Sequence, residues 1–95
     1  MKITELTPGM KAVNVEGRIT EKGEPRQVQT RYGESRVVDA ILTDDSGSIK
    51  LSLWNEQIDN FKINDEVRIE NGYVTSFRGD AQLSPGRTGR LTLKQ

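Results

Sequence analysis

One segment near the middle of the chain constrains the fold more than any other. Residues 44–47, Asp-Asp-Ser-Gly, have the chemistry of a tight turn: short side chains that cap their own backbone, then a glycine that tolerates a positive φ. Two kinds of side chain alternate after the turn: Ile49, Leu51 and Leu53 on one phase, and Lys50, Ser52 and Trp54 on the other. Because successive side chains of a strand point to opposite faces, this predicts one apolar face and one face that carries the only tryptophan.

An indole on the polar face of a strand has two explanations. Either Trp54 packs beneath a neighbouring loop or helix, or it is a platform on which a flat ligand stacks. The strand by itself leaves both open.

Period-two alternation predicts further strands before this segment. One strand covers residues 13–19 and, after a break, resumes at 26–30, which we interpret as the far half of the same bent strand. A second strand lies at 37–42, after a predicted loop at 31–35. It pairs with residues 49–54 as a β-hairpin across the Asp-Asp-Ser-Gly turn.

The apolar phase changes within the next predicted strand. Ile69 and Val74 both fit the core, although an odd number of positions separates them. We interpret Asn71-Gly72 as a β-bulge, because one extra residue shifts the alternation by one. The bulge puts Tyr73 and Phe77 on the face opposite the core.

The remaining pattern completes a small β-fold. Residues 55–60 predict one or two helical turns that carry Ile58 and Phe61 into the core, residues 81–83 a fifth strand, and residues 91–93 a last extended piece. Five short strands with a helical turn between the third and fourth predict an all-β protein with the OB-fold, a five-stranded Greek-key β-barrel. A closed barrel leaves no exposed sheet edge in so small a chain.

Composition narrows the class of function. The 95 residues suit one domain, 1–95, and the chain contains no His and no Cys. That excludes imidazole bases, thiolate nucleophiles, disulfides and nearly all zinc sites, so we expect no enzyme, no metal and no cofactor. We find no long apolar run and no signal-peptide pattern, and we expect a cytoplasmic, nucleoid-associated protein that does not enter a membrane.

The charges cancel overall but are segregated along the chain. Fourteen basic residues balance fourteen acidic ones. Residues 54–71 have a net charge of −3, whereas residues 72–95 have a net charge of +3. This segregation permits a basic groove on a neutral protein.

Several motifs together resemble a known family. They are Leu-Thr-Pro-Gly-Met at 6–10, the segment 26–33, Leu-Ser-Leu-Trp followed by Asn-Glu-Gln at 51–57, and the segment 69–79. They resemble the single-OB-fold single-stranded DNA-binding proteins of the archaeal type and their eukaryotic relatives, and the DNA-binding domains of replication protein A. The resemblance covers nearly the whole chain.

The resemblance implies a set of binding residues. Base stacking is implied at the positions of Trp54, Tyr73 and Phe77, and basic contacts to the strand at those of Arg26, Arg31 and Arg78. Further candidates for phosphate or polar contacts are Arg36, Lys50, Ser52 and Arg87. This chain has Ser84 where some relatives have another aromatic residue.

The resulting hypothesis is sequence-tolerant binding of single-stranded DNA in replication, recombination or repair, with replication or repair proteins as further partners. Two alternatives keep the fold. In one the ligand is RNA, which other OB domains bind. In the other the chain is a protein-interaction subunit of a replication protein A-like complex, with its aromatic residues covered by protein.

Overall fold

The computed structural model describes residues 2–31, 33–77, 79–85 and 89–93, and for Phe77 only the backbone. In this part of the chain, a 3-10 turn, one short helix and seven strands follow one another. They are the 3-10 turn (Ile3–Glu5), β1 (Val13–Lys22), β2 (Arg26–Thr30), β3 (Gly33–Thr43), β4 (Ser48–Trp54), α1 (Glu56–Asn60), β5 (Glu66–Phe77), β6 (Asp80–Ser84) and β7 (Arg90–Leu93).

The sheet closes on itself as a barrel. The strands follow one another in the order β1-β3-β4-β6-β5, and β5 pairs with β1 to complete the ring. β1 can serve both neighbours because its first half pairs with β5 and its second half with β3. Gly17 lies at this change of partner, where a Cβ would approach the carbonyl oxygen of Thr43 to 2.8 Å. The closed barrel, with one helix between β4 and β5, confirms the predicted all-β OB-fold.

β2 and the first residues of β3 form a hairpin arm. β2 pairs antiparallel with β3, from Arg26 opposite Val37 to Thr30 opposite Gly33. β1 and β2 therefore pair one after the other with β3, which agrees with the interpretation of residues 26–30 as the far half of a bent strand. The predicted loop at 31–35 is wrong from Gly33 onward, because β3 already begins there. The first four residues of β3 have no buried side chain, so the hydrophobic pattern indicates this strand only from residue 37.

The turn between β3 and β4 is held by one carboxylate. Asp44 accepts hydrogen bonds from the Ser46 and Gly47 backbone amides, the Ser46 hydroxyl and the distant Ile3 amide. Desolvation raises the pKa of Asp44, but these hydrogen bonds outweigh it and lower the pKa to about 2. Asp44 thus ties the start of the chain to the turn.

The core is aliphatic and continuous. Leu51 and Leu53 of β4 are fully buried, and Ile58 and Phe61 at the helix pack into the same cluster, as the sequence predicts. The Lys22 ammonium donates to the carbonyl oxygens of Ile58 and Phe61 at the end of α1, which satisfies groups that a helix terminus leaves unpaired. None of the helices described is long and apolar enough to cross a bilayer.

Candidate nucleic-acid interface

The outer face of the sheet carries several of the predicted binding residues. On β4, Lys50, Ser52 and Trp54 alternate with the buried leucines. Trp54 lies opposite Val37 of β3, and Val37 lies opposite Arg26 of β2. Because directly opposed residues share a face, the three side chains form one row across the sheet. Val37 is buried without belonging to the core cluster, and it lies between Arg26 and Trp54 in this row.

An open groove of about 960 Å³ runs beside Trp54. Its lining comes from the β2–β3 arm, the end of β4, the start of α1, β5 and the end of β6. The lining residues are Thr30, Arg31, Ser35, Trp54, Asn55, Glu56, Gln57, Tyr73, Ser84 and Pro85. Trp54 is half-buried and Tyr73 is 39% exposed, and neither belongs to the core. The structure therefore brings Trp54, Tyr73 and Arg31 to one groove, as the phase argument and the resemblance predict.

A hydrogen-bonded corner fixes Trp54 at the end of β4. The Trp54 amide donates to Oε1 of Gln57 at 3.1 Å. The Asn55 amide donates to the Arg36 carbonyl oxygen, and the Arg36 amide donates to Oδ1 of Asn55, both at 2.9 Å. Asn55 has a φ of 50°, a value that asparagine tolerates better than most residues. The chain therefore leaves β4 in one defined direction.

The bulge in β5 presents Tyr73. Val13 of β1 pairs with Gly72 and Val15 pairs with Ile69, so β5 contains one extra residue there. The Asn71 amide donates to Oδ1 of Asn14 at 3.0 Å, with Asn71 at a φ of 56°. Val74 is then buried while Tyr73 faces outward, which confirms the predicted change of phase.

Three predicted cations are paired with carboxylates. Arg26 lies 2.9 Å from Asp39, Lys50 lies 3.2 Å from Asp80, and Arg36 lies 3.5 Å from Asp59. These distances join side-chain nitrogen and oxygen atoms, and all six side chains are substantially exposed. Within the described ranges, Arg31 has no carboxylate within ion-pair distance.

Four of the described candidates do not line the groove: Arg26, Lys50, Ser52 and Arg36. Two of them are also turned away from solvent or from the Trp54 row. Ser52 lies on the predicted face but is only 5% exposed, and its hydroxyl accepts a hydrogen bond from the side-chain Nε2 of Gln82. Arg36 alternates with Val37, and its guanidinium faces Asp59 of α1 instead of the Trp54 row. Arg78, Arg87 and the side chain of Phe77 lie outside the described residues.

Sequence reasoning missed the polar end of the groove. Asn55, Glu56 and Gln57 were noted for their resemblance to replication protein A, but not as binding residues. They line the groove because the chain turns sharply after Trp54 and starts α1 beside the indole. Their position directly after a predicted ligand-facing residue was the available signal. Across the described ranges, no acidic cluster is arranged to hold a metal ion.

Comparisons with known proteins agree with this architecture. The chain is 40% identical over 90 residues to the single-stranded DNA binding protein Ssb of Saccharolobus solfataricus, with 95% of this chain and 61% of that protein covered. It is 35% identical over 91 residues to replication factor A of Methanothermobacter thermautotrophicus, with 95% and 12% covered. The chain thus spans less than two thirds of either relative.

Structure and family comparisons extend the match. An OB domain from Thermoplasma acidophilum, solved by solution NMR, superposes with a TM-score of 0.86 at 26% identity, covering 99% of this chain and 85% of that one. The family described as single-stranded DNA binding protein Ssb-like, OB fold, matches residues 6–93. Because this match takes in nearly the whole sequence, the chain belongs to the Ssb-like family of OB-fold single-stranded DNA-binding proteins, which are binding proteins and not enzymes.

Proposed function

We propose that this chain binds single-stranded DNA by stacking bases on Trp54 and Tyr73, with little dependence on sequence. The observation that carries the proposal is that both aromatic side chains lie off the core and line one open groove with Arg31. Every base has a flat face, so such a groove accepts any sequence. A duplex binds poorly, because its bases already stack on one another.

The proposed mechanism divides affinity between stacking and charge. Each base stacked on an aromatic side chain contributes about 1–3 kcal/mol. Arg31 needs no rearrangement to meet a phosphate, whereas Arg26 and Lys50 must first exchange a carboxylate for a phosphate. We therefore expect stacking to supply more of the affinity than charge, and the dependence on salt to be gentle.

The biological setting follows from the proposed ligand. Single strands are exposed during replication, recombination and repair, so we propose that the protein acts in these processes at the nucleoid, in the cytoplasm. Replication or repair proteins are the proposed partners. The names of the two relatives, Ssb and replication factor A, support this setting.

The test is a titration with oligo-dT that follows tryptophan fluorescence. With one tryptophan in the chain, the signal reports on Trp54 alone. We expect quenching. Variants at position 54 have no tryptophan, so their binding is followed by the anisotropy of labelled oligo-dT; for Trp54→Ala we expect binding weaker by about 1–3 kcal/mol, with the free energy of unfolding unchanged. Trp54→Phe is the matched control, because it keeps a stacking ring and should retain part of the affinity.

Two outcomes would contradict the proposal. One is unchanged Trp54 emission at a saturating concentration of oligomer, with binding detected by anisotropy of a labelled strand. The other is unfolding of Trp54→Ala, which would make the indole a packing residue. Competition between DNA and RNA oligomers of matched sequence decides between single-stranded DNA and RNA as the preferred ligand.

A further inference from the structure

A second groove lies beside Tyr73, outside the site described above. It has a volume of about 470 Å³ and is lined by residues 9–12, which we call the entry segment because they lead into β1, and by residues 71–75 of β5. Tyr73 also lines the first groove, the one that contains Trp54. The two grooves therefore meet at the side chain of Tyr73.

The pairing of β5 places the two grooves on opposite sides of Tyr73. The Val74 amide donates to the Met10 carbonyl oxygen at 2.9 Å, and the Val74 carbonyl oxygen accepts the Gly9 amide at 2.8 Å. Because the amide and the carbonyl of one strand residue point to the same side, the entry segment lies along one edge of β5. β6 lies along the other edge, with Ser84 opposite Tyr73. Ser84 lines the first groove and the entry segment lines the second, so Tyr73 stands between them.

The second groove contains an available cation. Of the residues that the structure describes, Lys11 is the only charged one in its lining. Lys11 is exposed, and no described carboxylate lies within ion-pair distance of it. Unlike Arg26 and Lys50, it can meet a phosphate without first giving up a carboxylate. Its backbone is held between the hydrogen bonds of the entry segment to Val74 and the start of β1, so the cation stays beside the groove.

We propose that the second groove continues the binding path of the single strand. A strand that stacks a base on Tyr73 in the first groove passes over this side chain, and its next nucleotide lies in the second groove with a phosphate on Lys11. The proposal rests on the proposed function, since it extends the same path. A nucleotide is the occupant that fits, because an aromatic side chain and an unpaired cation lie together there, and these are the two groups with which proteins hold single strands.

The experiment is a titration with oligo-dT of increasing length, from about 4 to about 16 nucleotides, the range of site sizes of single OB folds. Trp54 is retained in every variant, so its fluorescence reports binding throughout. We expect Lys11→Gln to bind the shortest oligomers as the unmodified chain does, because they fill the first groove alone. For the longest oligomers we expect affinity to fall about fivefold at about 0.1 M salt, and the slope of log affinity against log salt to flatten by about 0.7, the effect of one lost phosphate contact on a single strand.

Two further variants serve as controls. Lys62→Gln removes the same charge from another exposed lysine, which lines neither groove, so it should change affinity by the same small factor at every length. Lys11→Arg keeps the charge and should keep the affinity for long oligomers.

The failure of this proposal and that of the proposed function are distinguishable. If Lys11→Gln and Lys62→Gln behave alike at every length, or if Lys11→Gln weakens the shortest oligomers as much as the longest, the second groove does not belong to the path and the proposed function stands. If the unmodified chain binds no oligomer at all, both proposals are overturned.

Discussion

Neutralising Asp39 should strengthen the binding of single-stranded DNA. In the free protein the Arg26 guanidinium lies 2.9 Å from the Asp39 carboxylate, on the same sheet face as Trp54. A phosphate that reaches Arg26 must displace this carboxylate or bind beside it. Asp39→Asn removes the competing charge and nearly preserves side-chain volume. The Gly23 amide donates to the backbone carbonyl oxygen of Asp39, which the substitution leaves in place.

The magnitude follows from the geometry. A phosphate on the far side of the guanidinium would lie roughly 6 Å from the carboxylate, where two unit charges repel by about 0.7 kcal/mol in water. Screening lowers this value at physiological salt. The ion pair itself is exposed, and such pairs contribute about 0–1 kcal/mol, so its loss changes stability little. We therefore expect affinity to rise about threefold at low salt.

The assay is titration of Trp54 fluorescence with oligo-dT at several salt concentrations. Without the competing carboxylate, Arg26 neutralises a phosphate fully and releases condensed cations from the strand, so the slope of log affinity against log salt should steepen by about 0.7. Glu66→Gln is the control. It breaks a similar exposed ion pair, that between Arg18 and Glu66 at 3.0 Å, and adds the same net charge away from the groove. Equal gains in both variants would refute a phosphate contact at Arg26 and leave only bulk charge.

Three further predictions concern stability. Leu53→Ala should lower the free energy of unfolding, measured by chemical denaturation, by about 2–5 kcal/mol, because it truncates a fully buried side chain. Tyr73→Ala should instead weaken the binding of single-stranded DNA and leave the free energy of unfolding nearly unchanged. Lys22→Met should lower the free energy of unfolding by about 1–2 kcal/mol, because it removes the charged donor from the end of α1. Chemical denaturation measures this too, and a smaller loss would show that α1 does not depend on the cap. Asp44→Asn should lower stability by about 1 kcal/mol at neutral pH, because solvent exposure reduces the full effect of the lowered pKa. Since the folded pKa lies below the unfolded one, the stabilisation by Asp44 is present above the ordinary carboxylate pKa of 3.8 and is lost as pH falls to about 2, so the melting temperatures of the two proteins should converge over that range.

The core residues and the outward-facing aromatic residues Trp54 and Tyr73 were predictable because the alternation of residues along a single strand determines their faces. The period of two along β4 separates Leu53 from Trp54, and the Asn71-Gly72 bulge explains why Tyr73 leaves the core while Val74 enters it. Neither inference requires information about which strands pair with each other. The helical turn was predictable for a similar reason, since two apolar residues three positions apart need one turn to reach the same core.

The start of β3 and the ion pairs were not predictable from the same information. Residues 33–36 of β3 are not buried, so the alternation of apolar residues does not extend the strand predicted at 37–42 back to them. Asp39 and Asp80 reach Arg26 and Lys50 from 13 and 30 positions away along the chain. Only the register of the sheet brings these charges together.

The ion pairs also indicate which groups supply the affinity of a neutral chain for a polyanion. Its fourteen basic and fourteen acidic residues leave no net charge to draw a nucleic acid from a distance. Arg26 and Lys50 carry their own counter-charges, so exchanging a carboxylate for a phosphate gains little energy. Affinity must then come from groups that have no equivalent interaction in the free protein and acquire one when the strand binds. In the described part of the groove these are the exposed faces of Trp54 and Tyr73 together with Arg31, and this is why we expect the aromatic substitutions to weaken binding more than any single change at a paired cation.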